Sequence, residues 1–540
     1  LKLPFKPIIF GLLALHFIGL FGDIFNGDSA LYACIAKRMA ESYDFFLLDS
    51  VANPNWIDKP HLGFWIWSIF ISVFGHHSFV FKLPSFIALL VILRYIYLLT
   101  NHYYSRPTAE IACIIFVSSL HVIIATNDVR IDLFVIASIM AGLYHIGQGF
   151  ENKKKIEFLV GSIALGLAIM FKGIFVIFPF VAAYTVHSFK KNQLKNIIGW
   201  PMAIGFLCVG HAVGIEIWAL TYQFEDYNLP TILGQKVSSP IQYFLWDSQF
   251  GRFQSNLGQL QANGDPFFYF HNLLWVFFPW IFWIWIFMIK PRLILKEYLL
   301  IGGLSTMFLI LSMSKTQLSH HALILLPFLS ILLGVKISGL QNPLPRWFQF
   351  LLWFILGSIM VLSNVVHFYV TEHIDIRLLS FSALGLLTMM YLWKRMEESV
   401  LRCFGLSIGA AIFIGIYLQL FFYPWIMQFQ SGKPFAEKIS TKYKSTKIIA
   451  FYVNPSNFAF YHSGKIEMAN EIDSLDTNTI NQSILYVSDY YKGVLDGKST
   501  RYDILEKWTD YRTTVISPEF LNPKTRDRTL ENHYLLKIYR

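Results

Sequence analysis

FGDIFNGDSALYACIAKRMAESYDFF at residues 21–46 and WIDKPHLGFWIWSIF at 56–70 decide how the chain is read. Both lie in or at the edges of the stretch 23–82, which separates the first apolar segment from the next long one. Asp28 comes just after the first segment ends, and Asp58, Lys59 and Pro60 precede another strongly apolar run. Charge at a membrane boundary costs little, but acid and base held under aromatic side chains at both rims of such a loop mark a site. Within the stretch, apolar residues recur at Leu31, Ile35 and Met39 with Lys37, Arg38 and Glu41 opposite. This spacing predicts an amphipathic helix lying on the membrane surface. HLGFWIWSIFISVFG is a second, more aromatic run of about 15 residues, short for a crossing that needs roughly 20. It reads either as a wall of an interfacial cleft or as an ordinary aromatic belt.

The rest of the composition agrees with a membrane. Only 14% of the 540 residues are charged, against roughly 25% in soluble domains, and mean hydropathy is +0.48. The fold class is therefore a polytopic α-helical membrane protein. About thirteen apolar segments approach spanning length: 8–22, 83–100, 110–126, 132–149, 158–171, 174–188, 199–219, 271–289, 298–312, 321–337, 347–366, 378–393 and 403–422. The net charge of +10 does not point to nucleic acid, because Lys and Arg cluster in short connectors. Lys153–Lys155, Lys190 with Lys191 and Lys195, Lys290 with Arg292 and Lys296, Lys336 with Arg346, and Lys394 with Arg395 and Arg402 fall on one side in this count. Lys2 and Lys6 join them, and that side is expected to be cytoplasmic. The amino end has the charge order of a signal peptide but no small-x-small cleavage site, so it is expected to remain as a first helix.

Polar chemistry then collects on the opposite face, where nucleotide donors are absent and an activated group must arrive on a membrane-borne carrier. The tail, 423–540, changes character. KIIAFYV (447–453), SILYVSDY (483–490), YRTTVIS (511–517) and HYLLKIY (533–539) read as short strands with polar turns between them. They predict a small C-terminal α/β domain outside the cytoplasm, following a transmembrane domain over 1–422. Cys34, Cys113, Cys208 and Cys403 show no disulfide or zinc spacing and read as small apolar fillers.

Each charged candidate has two readings. Asp28 is either a general base, its carboxylate shielded by aromatic walls, or a start signal for the following helix. Asp58-Lys59 is either a phosphate-binding pair or a solvated ion pair, with Pro60 starting the next helix. Asp128, Arg130 and Asp132 either make a plain turn or bring a second carboxylate to the same face. Lys172, breaking GLAIMFKGIFVIF, either snorkels or binds an anion. Arg252, in WDSQFGRFQ, is either a surface residue or a third cation of the site. His320 and His321, near Lys315, are adjacent and so poorly placed to share a metal; no metal or other cofactor is indicated. Together, Lys59, Lys172 and Arg252 bring cations to the face that carries Asp28, Asp58 and Asp132. A reaction with a phosphate leaving group needs that combination.

The order of these elements resembles the polyprenyl-phosphate-sugar-dependent glycosyltransferases of the GT-C class. It is most similar to the bacterial branch of lipid A aminoarabinose transferases and relatives of protein O-mannosyltransferases. The resemblance rests on Gly27-Asp28-Ser29 with Tyr32 and Ala36, Ile57-Asp58-Lys59-Pro60-His61, Arg130-Ile131-Asp132 and Phe171-Lys172-Gly173. It continues through Arg252-Phe253, Pro266-Phe267-Phe268-Tyr269, Pro279-Trp280 and, loosely, Gln317-Leu318-Ser319-His320-His321. Three positions depart from the family pattern: Ser29 replaces a second acid, Asp58 a glutamate, and the last turn lacks its Lys, Pro and Tyr. The resemblance implies an inverting transfer from a polyprenyl-phosphate sugar to a hydroxyl or phosphate acceptor on lipid A, another glycolipid or a protein, at the periplasmic face of a bacterial inner membrane. It implies Asp28 as base, Lys59, Lys172 and Arg252 on the donor phosphate, and Asp58 and Asp132 on the acceptor side. Tyr32, Tyr269, His320 and His321 fall on the acceptor or lipid side. A transporter or flippase of a lipid-linked or anionic substrate is the alternative. It fits less well, because the charges gather at one rim and no inverted repeat is visible. A non-catalytic scaffold presenting the tail is a third reading.

Overall fold

Apolar helices carry most of the chain up to Met427, and a mixed sheet carries the rest. The structure is a computed structural model that describes residues 4–52, 55–190, 199–225, 231–232, 235–251, 264–289, 297–340, 343–443, 446–469, 472 and 482–539. The first ten long helices are α1 (Phe5–Gly19), α2 (Asp28–Ser42), α3 (Leu62–Phe74), α4 (Ser78–Tyr103), α5 (Arg106–Val117), α6 (Leu120–Asn127), α7 (Asp132–Asn152), α8 (Lys155–Lys172), α9 (Phe178–Lys190) and α10 (Trp200–Gln223). Each of the thirteen apolar segments falls on helical structure. Among the described residues, seven helices are long and apolar enough to cross a membrane, or eight if α5 and α6, bent by 59°, make one span. The others are short, such as α1 and Tyr298–Met313, or carry charge near their ends, as α8 does with Lys155, Glu157 and Lys172.

The break between α5 and α6 is locally satisfied, as a break inside an apolar bundle must be. Ser119 Oγ donates to the Ile115 carbonyl at 2.7 Å, and the Leu120 N–H, without a helical partner, donates to the Phe278 carbonyl at 2.9 Å. Small residues bring neighbouring helices together. A Cβ on Gly142 of α7 would come within 2.9 Å of Leu165 on α8, and one on Gly166 of α8 within 3.2 Å of the Cys208 carbonyl on α10. The α7–α8 hairpin sets the first turn of α7 beside the last turn of α8.

α2 forms where its spacing predicts, but its surroundings differ from the expectation. Lys37, expected on a solvated face, is 3% exposed. Its ammonium donates to the carbonyls of Ala459 (2.8 Å) and His462. The tail covers the side of α2 that a surface helix would offer to water, so carbonyls replace solvent around the charge. α3 has thirteen residues, too few for a crossing, and buries Phe64, Trp67 and Ile71 at helical spacing.

Two residues of each of β1 (Thr231–Ile232) and β2 (Gln235–Lys236) pair in the loop after α10. The C-terminal sheet comprises β3 (Lys447–Phe451), β4 (Ile466–Met468), β5 (Ser483–Ser488), β6 (Arg501–Asp510) and β7 (Glu531–Tyr539), in the order β4-β3-β5-β7-β6. β3 runs parallel to β4 and β5, while β7 is antiparallel to both β5 and β6. Alternate residues of β3 and β5 feed two cores. Ile448, Ala450, Ile484 and Tyr486 pack with Phe435 and Phe458, and Ile449, Phe451, Leu485 and Val487 pack with Tyr491 and Leu495. The predicted strand over 511–517 is corrected to β6, over 501–510. β6 is an edge strand whose polar residues hide its period, and the β-branched run after it is spent on docking. There Tyr511 stacks on Phe520 at 3.7 Å, its N–H donates to the Phe429 carbonyl at 2.8 Å, and Thr513 Oγ1 donates to Gln430 at 3.0 Å. β4, a three-residue edge strand, was not expected from the sequence.

Candidate active site

Gly27, at φ +97°, turns the chain into α2 and leaves Asp28 as the first helical residue. Gly27 therefore takes the capping position, and the Asp28 side chain points elsewhere. Arg130 Nη1 donates to Asp28 Oδ2 at 2.7 Å, and Arg130 Nε donates to Asp128 Oδ2 at 2.8 Å. Ser29 Oγ donates to Asp128 Oδ1 at 2.7 Å. One guanidinium thus bridges two carboxylates. The Asp28 side chain is still 51% exposed, whereas that of Arg130 is 17% exposed. A carboxylate oriented by a fixed cation yet open to incoming atoms is suited to accept a proton.

A second group of charges lies deeper. Asp132 opens α7 and Lys172 closes α8, so each sits at the helix end whose dipole favours its charge. Their side chains pair at 1% and 3% exposure. Lys59 pairs with its neighbour Asp58. Asp58, Lys59 and Lys172 line one small cavity together with Glu216, Ser248 and Gln249. The two lysines are held there by carboxylates, Lys59 by Asp58 and Lys172 by Asp132, with Glu216 also on the cavity wall.

Tyr32 ties the two groups together. Its buried ring stacks on Trp67 at 5.7 Å and meets Phe64 edge-on at 5.5 Å. Burial, then the charges of Asp28 and Asp58, pushes its phenol well above the ordinary tyrosine range; Asp132 adds to this and Arg130 opposes it. All four charges therefore lie within electrostatic reach of one hydroxyl. His320 is likewise within reach of Arg130, Lys172 and Lys59. Tyr269 is buried, and its hydroxyl donates to the Leu318 carbonyl at 3.2 Å, fixing the turn before His320. The rings of His320 and His321 are 4.6 Å apart. Among the described residues, no three His, Cys, Asp or Glu side chains group so as to hold a metal ion. Arg252 lies outside the described residues.

Sequence reasoning placed Arg130 and Asp128 in a turn and missed their grip on Asp28. It also missed Glu216, which faces His61. His61 Nδ1 lies 2.8 Å from Glu216 Oε1, the His61 N–H donates to Oε2 at 3.2 Å, and His61 Nε2 lies 3.0 Å from the Phe46 carbonyl. A lone acid in the apolar run of α10 was the available signal.

The chain is similar to known proteins in sequence and in fold. The dolichyl-phosphate-mannose-protein mannosyltransferase family matches residues 58–214. The chain is 24% identical over 255 residues to an undecaprenyl phosphate-α-4-amino-4-deoxy-L-arabinose arabinosyl transferase of Proteus mirabilis, covering 46% of this chain and 42% of that one. It is 26% identical over 281 residues to the corresponding transferase of Wigglesworthia glossinidia brevipalpis, covering 50% and 46%. The chain thus spans about half the length of the curated relatives it matches. In three dimensions it matches the crystal structure of ArnT from Cupriavidus metallidurans bound to undecaprenyl phosphate. The TM-score is 0.72 at 14% identity, over 98% of this chain and 97% of that one. The apo form gives 0.70 at 13% identity, over 93% and 95%. The chain therefore has an ArnT-like fold and is similar in sequence to part of the aminoarabinose transferases and, over residues 58–214, to the mannosyltransferase family.

Proposed function

We propose that the protein transfers a sugar from a polyprenyl phosphate to a glycolipid or protein acceptor, with inversion at the anomeric carbon. The acceptor oxygen attacks that carbon, the bond from the carbon to the phosphate oxygen breaks, and polyprenyl phosphate leaves with the electron pair. Where the acceptor is a hydroxyl, its proton passes to the Asp28 carboxylate, which Arg130 orients. Lys59 and Lys172, with Arg252, take the charge that grows on the departing phosphate; Asp58 and Asp132 hold those lysines and shape the acceptor side. Tyr32, Tyr269, His320 and His321 line the acceptor or lipid side. The prenyl chain runs along an apolar groove between helices.

The observation that carries the reading is the half-exposed Asp28 held by Arg130, within reach of the same tyrosine as the Asp58 and Asp132 ion pairs. The ArnT crystal structure, with its bound undecaprenyl phosphate, supports the same lipid carrier here. In this reading residues 1–422 cross the bacterial inner membrane thirteen times and residues 423–540 form a domain on the periplasmic side. Mass spectrometry of envelope lipids and glycoproteins, with wild type and with Asp28→Asn, tests the proposal. A sugar adduct that depends on the protein and is lost with Asp28→Asn supports it. An adduct unchanged by Asp28→Asn removes that residue from the mechanism.

A further inference from the structure

The tail has no role in the chemistry described so far, yet its sheet carries a polar cavity of about 590 Å³. The cavity lies where the carboxyl ends of β3 and β5 meet the start of β7 and the end of β6. The connection after β3 leads to β4 on one side, whereas β7 flanks β5 on the other. In open α/β sheets that crevice, outside the carboxyl ends of the strands at the point where strand order reverses, is the general ligand site. Here the crevice faces the membrane-embedded part. Asn26, Gly27 and Ala30 line it from the start of α2, the helix whose first residue is Asp28.

The lining has the chemistry that recognises sugars. Tyr452 offers an exposed ring, while Tyr486 and Tyr511 are buried behind it with their phenols bonded within the protein. Tyr452 is 57% exposed and held at φ +52°, a left-handed conformation costly for a bulky residue unless its surroundings impose it. It stacks on Tyr491 at 5.4 Å, which fixes its ring at the cavity rim. Deeper in, Ser431 Oγ lies 2.9 Å from His533 Nδ1 and 3.0 Å from the Tyr486 hydroxyl, and it donates to Asp510 Oδ1 at 2.7 Å. This network holds donors and acceptors in place. Two carboxylates, Asp510 and Glu531, share the lining with the guanidinium of Arg512 and with the His533 imidazole, which lies 3.8 Å from Asp510 and 3.7 Å from Glu531. The His533 imidazole, 3.7 Å away, holds Glu531 below the usual glutamate range.

We infer that this cavity binds the acceptor, and that the part bound is a saccharide without a phosphate, presented by the tail to Asp28. An aromatic face with fixed hydroxyl, amide and carboxylate groups suits a neutral or amine-bearing sugar. A phosphorylated headgroup would meet Asp510 and Glu531 with charge of the same sign. The inference rests on the transferase reading, and the experiment separates the two.

The purified full chain in detergent micelles is titrated with a glucosamine disaccharide and with its 1-phosphate, and binding is read by saturation-transfer NMR. The unphosphorylated disaccharide is expected to bind at least about tenfold more tightly. Tyr452→Gly relieves the left-handed backbone and removes only the ring, so a folded protein with about tenfold weaker binding is expected. Glu531→Gln should narrow the discrimination against the phosphate. Tighter binding of the phosphate, no binding of either sugar, or binding indifferent to both substitutions overturns the inference. Intact disaccharide binding with no protein-dependent envelope adduct leaves the cavity standing and removes the transferase reading. An adduct on a phosphorylated acceptor does the reverse.

Discussion

The Lys172–Asp132 pair offers the sharpest test of the arrangement, because both side chains are almost fully buried. Removing one partner of a buried ion pair leaves an uncompensated charge and costs about 3–5 kcal/mol, whereas replacing both by neutral groups is often close to neutral. Lys172→Met alone strands the Asp132 carboxylate, and Asp132→Asn alone strands the ammonium. Each single variant is therefore expected to lose about 3–5 kcal/mol, or more than a hundredfold in the unfolding equilibrium. The double variant Lys172→Met/Asp132→Asn should regain most of that loss. Unfolding of the full chain in mixed detergent, followed by tryptophan fluorescence, measures all four members of the cycle. Stability and activity should then separate. The double variant folds but is expected to transfer no sugar, because Lys172 also lines the cavity with Lys59 and Asp58. A double variant as unstable as the sum of the singles would show that the two residues do not interact. The placement of the deep cation would fall with them.

Three further outcomes are expected. Arg130→Ala should cut sugar transfer at least about a hundredfold while leaving donor binding within about threefold, since it releases Asp28 without touching Lys59; single-turnover kinetics separates the two effects. Burial alone would lower the pKa of His61, but the charge and hydrogen bond of Glu216 outweigh it and raise it above 6.5. The stabilisation is then fully present below about pH 6.5, the unfolded-state value, and is lost as pH rises through the higher folded-state value. Unfolding measured from pH 6 to 9 should show this decline in the wild type and a flatter profile in Glu216→Gln. Lys37→Met should leave the Ala459 and His462 carbonyls without their donor, at a cost of about 1–3 kcal/mol. Faster proteolysis between α2 and the tail, with the bundle intact, is the expected sign.

Much of this molecule was legible in its residues. Hydropathy located every apolar helix, and the lone charges at Asp28, Asp58, Lys59, Asp132 and Lys172 stood out because lipid-facing sequence has no use for them. Other features escaped. Lys37 reads as solvated because helical periodicity does not reveal what covers a face from outside, and here the tail does. The strand at 501–510 was missed because an edge strand exposes polar residues on both faces, while the β-branched run after it looks like a strand and serves as a docking loop. In the candidate site, Arg130 was visible as a charge, but its partner lies 102 residues earlier.

Sequence alone determined that the chain is a multi-span helical protein, and that its acids and bases stand at the ends of apolar segments. Both follow from the cost of placing charge in hydrocarbon, which is paid residue by residue and needs no partner to be known. The tertiary structure decided which charge meets which: Asp28 with Arg130, Asp132 with Lys172, and His61 with Glu216. It also decided that the sheet of the tail sets its crevice against the start of α2. Those pairings depend on helix bends, small-residue contacts and docking between segments far apart in the chain, and no local pattern records them.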